Sequence, residues 1–369
     1  FHPSERVAIS ASEDGTCRVW DLSTSKCVKV LAAHSKEHEV LRACWAPPGS
    51  THDSIAAATG SADGVVRLWG LGRVERGEGE CDGVTGVERY QALRVVGCLR
   101  HRNQSKGLDG QVYSCQFVSD QAGGASAGTT RLLTASDNSV HLWDLETCKR
   151  ETSRALSKVG DHSVGGERNP SDLSFVFDAK PRPGARSDVL AVALSDGTVR
   201  VGDILRGRGQ PSVLRCRNTA TQTGLAWSHD GTILASCGGD GAVTLWDART
   251  WTIMSTLCGH SRSVYGAAFY PGAGRESEEL STALLLSWSS DETICMWGAS
   301  RGPVGGTAQS VSVPLASIAV EQGFPIYSCS VSADGRQLAV AGGGSGKAGL
   351  LGVPIKLVCL DDEPKGKGG

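Results

Sequence analysis

A spacing between aspartate and tryptophan recurs along this chain and restricts its fold more than any other feature. In five places a turn aspartate is followed six residues later by tryptophan: Asp14 and Trp20, Asp63 and Trp69, Asp137 and Trp143, Asp240 and Trp246, Asp291 and Trp297. A sixth aspartate, Asp196, has Gly202 at the same distance. Such a repeat indicates a series of similar small units, each too small to bury its apolar faces alone.

The segment 224–249 is the clearest copy of the unit, reading GLAWSHDGTILASCGGDGAVTLWDAR. Apolar and small or polar residues alternate with period two, and His-Asp-Gly and Gly-Asp-Gly supply the turns that tight hairpins need. The segment therefore predicts three consecutive strands, with a fourth at 252–257. No stretch of the chain has a sustained helical period.

A second marker is an apolar residue that ends the first strand of each unit, just before a turn. It occurs seven times, at Phe1, Trp45, Phe117, Phe177, Trp227, Phe269 and Val331. The chain is therefore predicted to contain seven units. The last unit has no tryptophan, and its third strand is predicted at about 349–353. Longer connections rich in Gly, Pro, Ser and charge, such as 72–90 and 299–309, are predicted to be surface loops.

The segments SEDGTCRVWDL, SADGVVRLWGL, DNSVHLWDL, GDGAVTLWDAR and SDETICMWGA, with the Gly259-His260 pair, resemble WD repeats. The resemblance implies an all-β, seven-bladed β-propeller of four-stranded antiparallel blades, as a single domain over residues 1–360 with a flexible tail at 361–369. The expected blades are about 1–33, 34–101, 111–157, 172–217, 223–258, 259–321 and 325–360. In that family the first strand of a blade lines the central channel. Blade 1 therefore lacks most of its innermost strand in this sequence, and an upstream part of the same chain is expected to close it.

Composition limits the classes of binding partner and the cellular compartments that we expect for this protein. The net charge of −2 gives no general attraction to nucleic acid, and aromatic residues interleaved with basic ones are missing, so nucleic acid is disfavoured as a partner. None of the 13 cysteines forms a C-x-x-C pair, a pattern typical of reduced thiols in an intracellular protein of the cytoplasm or nucleus. No apolar run approaches 18 residues, so no membrane span is expected.

His260, Ser287 and Asp291 contain the residue types of a hydrolase triad, but no nucleophile elbow accompanies them. The WD-repeat resemblance implies instead a buried, structural hydrogen-bond set of His260, Ser287, Asp291 and Trp297. A second such set is expected from His34, Thr59, Asp63 and Trp69. Each buried polar group would then have a partner, as burial requires. We therefore expect no catalytic residues.

Two further motifs point to no ligand. The run 341–349, AGGGSGKAG, resembles a phosphate-binding loop, but it begins with Ala where that motif needs Gly, and no magnesium-binding hydroxyl follows Lys347. His34 and His38 have a spacing found in metal sites, but no cysteine pair or acidic partner completes a ligand set. No cofactor and no metal are expected.

Local charge and one short motif suggest surfaces for other proteins. Residues 146–217 hold 13 Lys and Arg against 9 Asp and Glu, whereas 259–300 hold 2 against 5. The basic sector includes four arginines that we predict to form a partner-binding cluster: Arg206, Arg208, Arg215 and Arg217. Residues 234–249 end in Trp246-Asp247-Ala248-Arg249, which resembles the W-D-x-R box of cullin-RING ubiquitin ligase substrate receptors. The resemblance implies that Arg249 contacts the ligase adaptor, and Asp247 in the same box is a further candidate partner-binding residue.

The sequence favours a non-catalytic scaffold that binds other proteins or peptides within a multi-protein assembly. Rigidly stacked sheets would hold the binding loops in place at low entropic cost. The alternative is a substrate receptor of a cullin-RING ubiquitin ligase, acting through the box that ends at Arg249.

Overall fold

A computed structural model describes most of the chain. The described residues are 1–32, 34, 37–47, 55–71, 87–101, 110–119, 130–145, 147–155, 174–184, 189–205, 208–216, 220–271, 283–299, 310–320, 323–332, 334–343 and 355–359. Contacts divide the chain into two compact units, His2–Leu225 and Ala226–Gly369, and Phe1 belongs with the second. The predicted connections at 72–86 and 300–309 lie outside the described residues.

The first unit contains four antiparallel sheets whose strands follow chain order. The first sheet consists of β1 (Val7–Ala11), β2 (Cys17–Asp21) and β3 (Lys26–Leu31). The second consists of β4 (Val40–Trp45), β5 (Ala57–Ser61), β6 (Val65–Leu71) and β7 (Leu93–Arg100), with a short 3₁₀ helix, Val87–Ala92, before β7. The third consists of β8 (Val112–Ser119), β9 (Thr130–Ser136), β10 (Ser139–Asp144) and β11 (Lys149–Ala155). The fourth consists of β12 (Val176–Pro181), β13 (Leu190–Leu194), β14 (Thr198–Asp203) and β15 (Arg208–Arg215).

Three more sheets follow. The fifth consists of β16 (Gln222–Trp227), in which the boundary between the units falls, β17 (Ile233–Gly238), β18 (Ala242–Asp247) and β19 (Ile253–Cys258), with β23 (Ser310–Ser312) as an added edge strand. The sixth consists of β20 (Val264–Phe269), β21 (Ala283–Ser289), β22 (Thr293–Ala299) and β24 (Ala316–Ala319). The seventh consists of β25 (Ile326–Val331), β26 (Gln337–Gly342) and β27 (Ile355–Cys359).

These seven sheets confirm the all-β prediction, and they correspond to the seven repeats predicted from the sequence. The segment 224–249 forms β16, β17 and β18, and its predicted fourth strand is β19, displaced by one residue. The first sheet has three described strands, which correspond to the second, third and fourth strands of a complete four-stranded repeat. Among the described residues, no helix is long and apolar enough to cross a membrane.

The predicted third strand of the last repeat lies outside the described residues, and the third strand described for that sheet is β27. β27 begins at Ile355 and pairs with β26 from Cys359 to Ile355, whereas the prediction lay at 349–353. Pro354 has no N–H to donate to a strand ladder, so a strand that starts immediately after it avoids a missing hydrogen bond.

Consecutive sheets within a unit pack face to face through apolar clusters. The second strands β5, β13 and β17 are buried at every residue, so both faces of their sheets are covered. In the first unit, separate clusters join the first sheet to the second, the second to the third, and the third to the fourth. In the second unit, clusters join the fifth sheet to the sixth and the sixth to the seventh. Each of these clusters buries apolar area between neighbouring sheets, which stabilises the stack of sheets within each unit.

A β-bulge recurs at the second residue of the first strand in five sheets. The register shifts across Leu41, Tyr113, Phe177, Tyr265 and Tyr327. A bulge leaves one residue unpaired and changes the direction of its side chain. The same irregularity thus places an aliphatic or aromatic side chain at the same edge of each of these sheets.

Candidate functional site

The sixth sheet contains a buried polar set formed by His260, Ser287, Asp291 and Trp297. His260 Nε2 lies 2.8 Å from Ser287 Oγ, and Trp297 Nε1 donates to that same oxygen at 2.8 Å. His260 Nδ1 lies 3.1 Å from Asp291 Oδ2. β21 supplies the serine and β22 the tryptophan, while the aspartate belongs to the hairpin between them.

Neighbouring groups change the proton affinities within this set. Burial lowers the pKa of His260, but its contact with the Cys295 thiol and the charge of Asp291 outweigh burial and raise it. Burial raises the pKa of Asp291, but hydrogen bonds from Thr293 and from the Ser261 amide outweigh it and lower the pKa. The histidine and the aspartate therefore favour an ion pair.

Burial argues against a hydrolytic role for these residues. Ser287 and Trp297 have 0% of their surface exposed and His260 has 8%. A nucleophile must reach a substrate, and Ser287 Oγ is enclosed and already bonded to both His260 and Trp297. The geometry supports a structural role, in which each polar group satisfies another.

The second sheet repeats this arrangement with His34, Thr59, Asp63 and Trp69. His34 Nε2 lies 2.7 Å from Thr59 Oγ1, Trp69 Nε1 donates to Thr59 Oγ1 at 2.9 Å, and His34 Nδ1 lies 3.2 Å from Asp63 Oδ2. Arg67 extends the set by donating to Asp63 at 2.8 Å and by contacting His34. Both ring nitrogens of His34 are thus engaged, which leaves neither for the metal site considered above. Within the described residues, no group of three His, Cys, Asp or Glu could hold a metal ion.

The third sheet contains a variant that sequence reasoning missed. Trp143 Nε1 donates to Thr134 Oγ1 at 2.8 Å. Where the second sheet has the single histidine His34, the third sheet has two histidines, His101 and His141, whose ring centroids lie 4.8 Å apart. Ser136 Oγ lies 3.1 Å from His101 Nδ1 and 3.3 Å from His141 Nε2.

A shorter hairpin explains this variant. Thr134 and Asp137 are three residues apart, whereas Thr59 and Asp63 are four apart. Asp137 has a positive φ of 42° in a tight turn. Ser136, rather than Asp137, contacts Nδ1 of His101, as Asp63 contacts Nδ1 of His34. The one-residue difference in spacing was the available sequence signal, and it was hidden because the spacing from aspartate to tryptophan is unchanged.

The bulge residues form aromatic pairs between neighbouring sheets. The rings of Tyr113 and Phe177 lie 5.6 Å apart, and those of Tyr265 and Tyr327 lie 5.3 Å apart. Tyr327 is 45% exposed, and Phe175, which precedes β12 at the same edge, is 52% exposed. Aromatic pairs with exposed members are typical of protein-contact surfaces. These side chains were not singled out from the sequence, because a bulge is a feature of register that composition does not reveal.

The structure describes the backbones of four of the other predicted partner-binding residues, namely Asp247, Arg249, Arg208 and Arg215. Arg249 is paired with Asp247, Nη2 to Oδ2 at 3.2 Å, and its side chain is 57% exposed. Arg208 and Arg215 are the first and last residues of β15, so their backbones are about 23 Å apart at the usual rise per residue, and these two do not form a compact cluster. Arg206 and Arg217 lie outside the described residues.

Comparison with known proteins agrees with this architecture. The family described as "WD domain, G-beta repeat" matches residues 1–21, 25–70 and 212–247. Nuclear distribution protein PAC1 of Arthroderma otae is 24% identical over 323 residues, covering 82% of this chain and 58% of that protein. A guanine nucleotide-binding protein subunit beta of Zea mays is 25% identical over 310 residues, covering 81% of this chain and 64% of that protein.

Protein tipD of Dictyostelium discoideum is 22% identical over 301 residues, covering 80% of this chain and 39% of that protein. The chain thus spans between about two fifths and two thirds of the length of these curated relatives. The Asp-to-Trp repeats, the seven meandering sheets and these matches together lead to one conclusion: the chain belongs to the WD-repeat family and has its β-propeller fold.

Proposed function

We propose that this protein is a non-catalytic scaffold that binds other proteins through exposed or half-buried aromatic residues at the sheet edges of each unit. We call these residues the aromatic edge: Tyr113, Phe175 and Phe177 in the first unit, and Tyr265 and Tyr327 in the second. WD-repeat proteins typically act as protein-interaction scaffolds, and such propellers are generally non-catalytic. The observation that carries the proposal is the repeated bulge, which in each unit places aromatic side chains at the same edge of two neighbouring sheets. Exposed aromatic rings held by a rigid strand lose little entropy on binding.

Charges beside the aromatic edge suggest the chemistry of the partner. Burial raises the pKa of Tyr113, and the carboxylates of Asp137 and Glu39 add to that rise. Glu39 is exposed and immediately precedes β4. We therefore propose a partner segment with an apolar or aromatic anchor next to a basic residue.

Alanine substitution at the aromatic edge tests the proposal. Phe175→Ala and Tyr327→Ala each remove an exposed ring, and we expect partner affinity to fall about tenfold or more, as for interface anchors. Val213→Ala is the matched control, because Val213 is 40% exposed but lies on the outer strand β15. The measurement is quantitative affinity purification with mass spectrometry, followed by titration of the recovered partner. Equal recovery of every partner by all three variants would contradict the proposal.

A second candidate function is that of a substrate receptor for a cullin-RING ligase. The supporting observation is the exposed guanidinium of Arg249, which two contacts with Asp247 hold in one orientation. Trp246 is buried and donates to Ser236 Oγ at 3.0 Å, so the segment that carries Arg249 is anchored.

Arg249→Ala tests this second candidate, with Arg94→Ala as a control at an exposed arginine of β7. We expect recovery of the ligase adaptor to be lost with Arg249→Ala and retained with Arg94→Ala. Absence of the adaptor from purifications of the unsubstituted chain would remove this candidate.

We also propose that the protein acts inside the cell. Cys17, Cys27, Cys44, Cys115 and Cys295 are free thiols, a state that reducing compartments maintain. When the protein is isolated from cells in the presence of an alkylating agent and digested without reductant, we expect most of its cysteines to be alkylated. A majority of cysteines held in disulfides would contradict the proposal.

A further inference from the structure

Two cysteines contact each other across the junction between the second and third sheets. Cys44 Sγ, on β4, lies 3.7 Å from Cys115 Sγ, on β8. Cys115 is buried and Cys44 is half-buried, and both are free thiols. Both belong to the first unit, and neither takes part in the polar sets or the aromatic edge.

The backbones that carry these thiols run side by side in the same direction. Arg42 Nε donates to the Tyr113 carbonyl at 3.0 Å, two residues before the cysteine on each strand. Both contacts join residues 71 positions apart, so the two strands are aligned without stagger. A disulfide requires the sulphurs to approach to about 2.05 Å, and rotation of the two side chains can supply a movement of this size.

Cations around the pair favour the reactive thiolate. The hydrogen bond from Cys44 lowers the pKa of Cys115, and although burial opposes this, the charges of Arg42 and Lys180 add to the lowering. The thiolate, rather than the thiol, is the nucleophile that attacks peroxides. We expect hydrogen peroxide to reach the pair from the side of Cys44, which is the half-buried member.

We propose that Cys44 and Cys115 are an oxidisable pair, which hydrogen peroxide converts to a reversible disulfide joining the second and third sheets. The Cys115 thiolate attacks one peroxide oxygen, the O–O bond breaks, and the released hydroxide takes up a proton and leaves as water. The Cys115 sulfenic acid is then attacked by Cys44 sulphur, the S–O bond breaks, and the hydroxyl leaves as a second water with the proton from Cys44. The two thiols lose two electrons and two protons, and the peroxide is reduced to two waters. Thiol exchange with a cellular dithiol restores the reduced pair.

Peptide mapping of the full chain tests the proposal. The reduced protein is treated with hydrogen peroxide, alkylated and digested without reductant, and we expect one peptide pair linked through Cys44 and Cys115, which dithiothreitol separates. The link closes a loop of about 70 residues in the unfolded chain, so we also expect Tm to rise by about 4 °C on oxidation.

Serine variants separate this site from general oxidation. Cys44→Ser and Cys115→Ser should each abolish both the linked peptide and the rise in Tm, whereas Cys258→Ser, at an exposed thiol, should preserve both. Cys115→Ala replaces the serine variant if that variant does not fold. The proposal is overturned if peroxide oxidises the exposed thiols while Cys44 and Cys115 remain fully alkylated, or if Cys44→Ser retains the rise in Tm.

Discussion

The serine hydroxyls that bond tryptophan rings contribute unequally to the stability of the fold. Ser287 Oγ serves both His260 Nε2 and Trp297 Nε1, while Ser10 Oγ accepts only one ring hydrogen bond among the described contacts, from half-buried Trp20 at 3.0 Å. Removing the Ser287 hydroxyl leaves two buried groups, His260 Nε2 and Trp297 Nε1, without this hydrogen-bond partner. Removing the Ser10 hydroxyl leaves only the ring nitrogen of half-buried Trp20, which water can reach.

Ser287→Ala should therefore lower the free energy of unfolding by about 3 kcal/mol, and Ser10→Ala, the matched control, by about 1 kcal/mol. Urea denaturation followed by tryptophan fluorescence measures both. Equal losses for the two variants would show that the shared hydrogen bond at Ser287 is not decisive.

The histidine pair in the third sheet predicts sensitivity to acid. Burial, with a smaller contribution from the charge of Arg150, lowers the pKa of His141 to about 4. Burial, with the nearby charges of His141 and Arg150, also lowers the pKa of His101. A histidine whose folded pKa is depressed takes up its proton in the unfolded chain first, so stability is retained above pH 6.5 and falls as the pH drops toward 4.

Between pH 7 and pH 5 we expect His141 alone to lower the free energy of unfolding by about 2 kcal/mol. His141→Gln should reduce this dependence on pH, while His229→Gln, at an exposed histidine, should preserve it. Urea midpoints at the two pH values provide the measurement. An unchanged pH dependence in His141→Gln would refute this assignment.

At the scale of elements, one buried carboxylate connects the first strands of three successive sheets. Asp178 on β12 accepts from Ser114 Oγ on β8 at 2.8 Å and from the Leu225 amide on β16 at 3.1 Å. It is 3% exposed. Asp178→Ala would leave the amide and the hydroxyl without this acceptor and should cost about 3 kcal/mol, whereas Ser114→Ala should cost about 1 kcal/mol. Hydrogen exchange at the Leu225 amide gives a local measurement, and unchanged protection there in Asp178→Ala would contradict the bridging role.

The sequence predicted elements better than contacts between them. The strands of the fifth sheet were predictable because alternation and Gly-Asp-Gly turns are local signals that packing did not override. The bulges at Tyr113 and Tyr327 were not predictable, because a register shift depends on the neighbouring strand. The polar set around His260 followed from resemblance rather than from spacing, since its members come from separate elements. The histidine pair was missed because His101 and His141 are 40 positions apart and nothing local relates them.

At the scale of the whole molecule, one apolar segment bears on behaviour in solution. Val313 is 79% exposed and Leu315 is 65% exposed, beside β24, whose four residues are all exposed. Exposed, uncharged edge strands favour association between molecules. Val313→Lys should therefore raise the concentration at which the protein aggregates, with a change in stability of at most about 0.5 kcal/mol. Light scattering measures the onset of aggregation, and Val30→Lys, on the outer strand of the first sheet, is the control at a 48% exposed valine.

The strand β23 has a mechanical consequence. It follows β22 of the sixth sheet but pairs in parallel with β19 of the fifth, with Ser310 opposite Ser255 and Ser312 opposite Leu257, before the chain returns to the sixth sheet as β24. The segment that contains β23 and β24 therefore forms backbone hydrogen bonds with both the fifth and the sixth sheet. Force that peels the outer strand from the sixth sheet must also strip β23 from the fifth, so these two sheets should yield in a single step rather than one after the other.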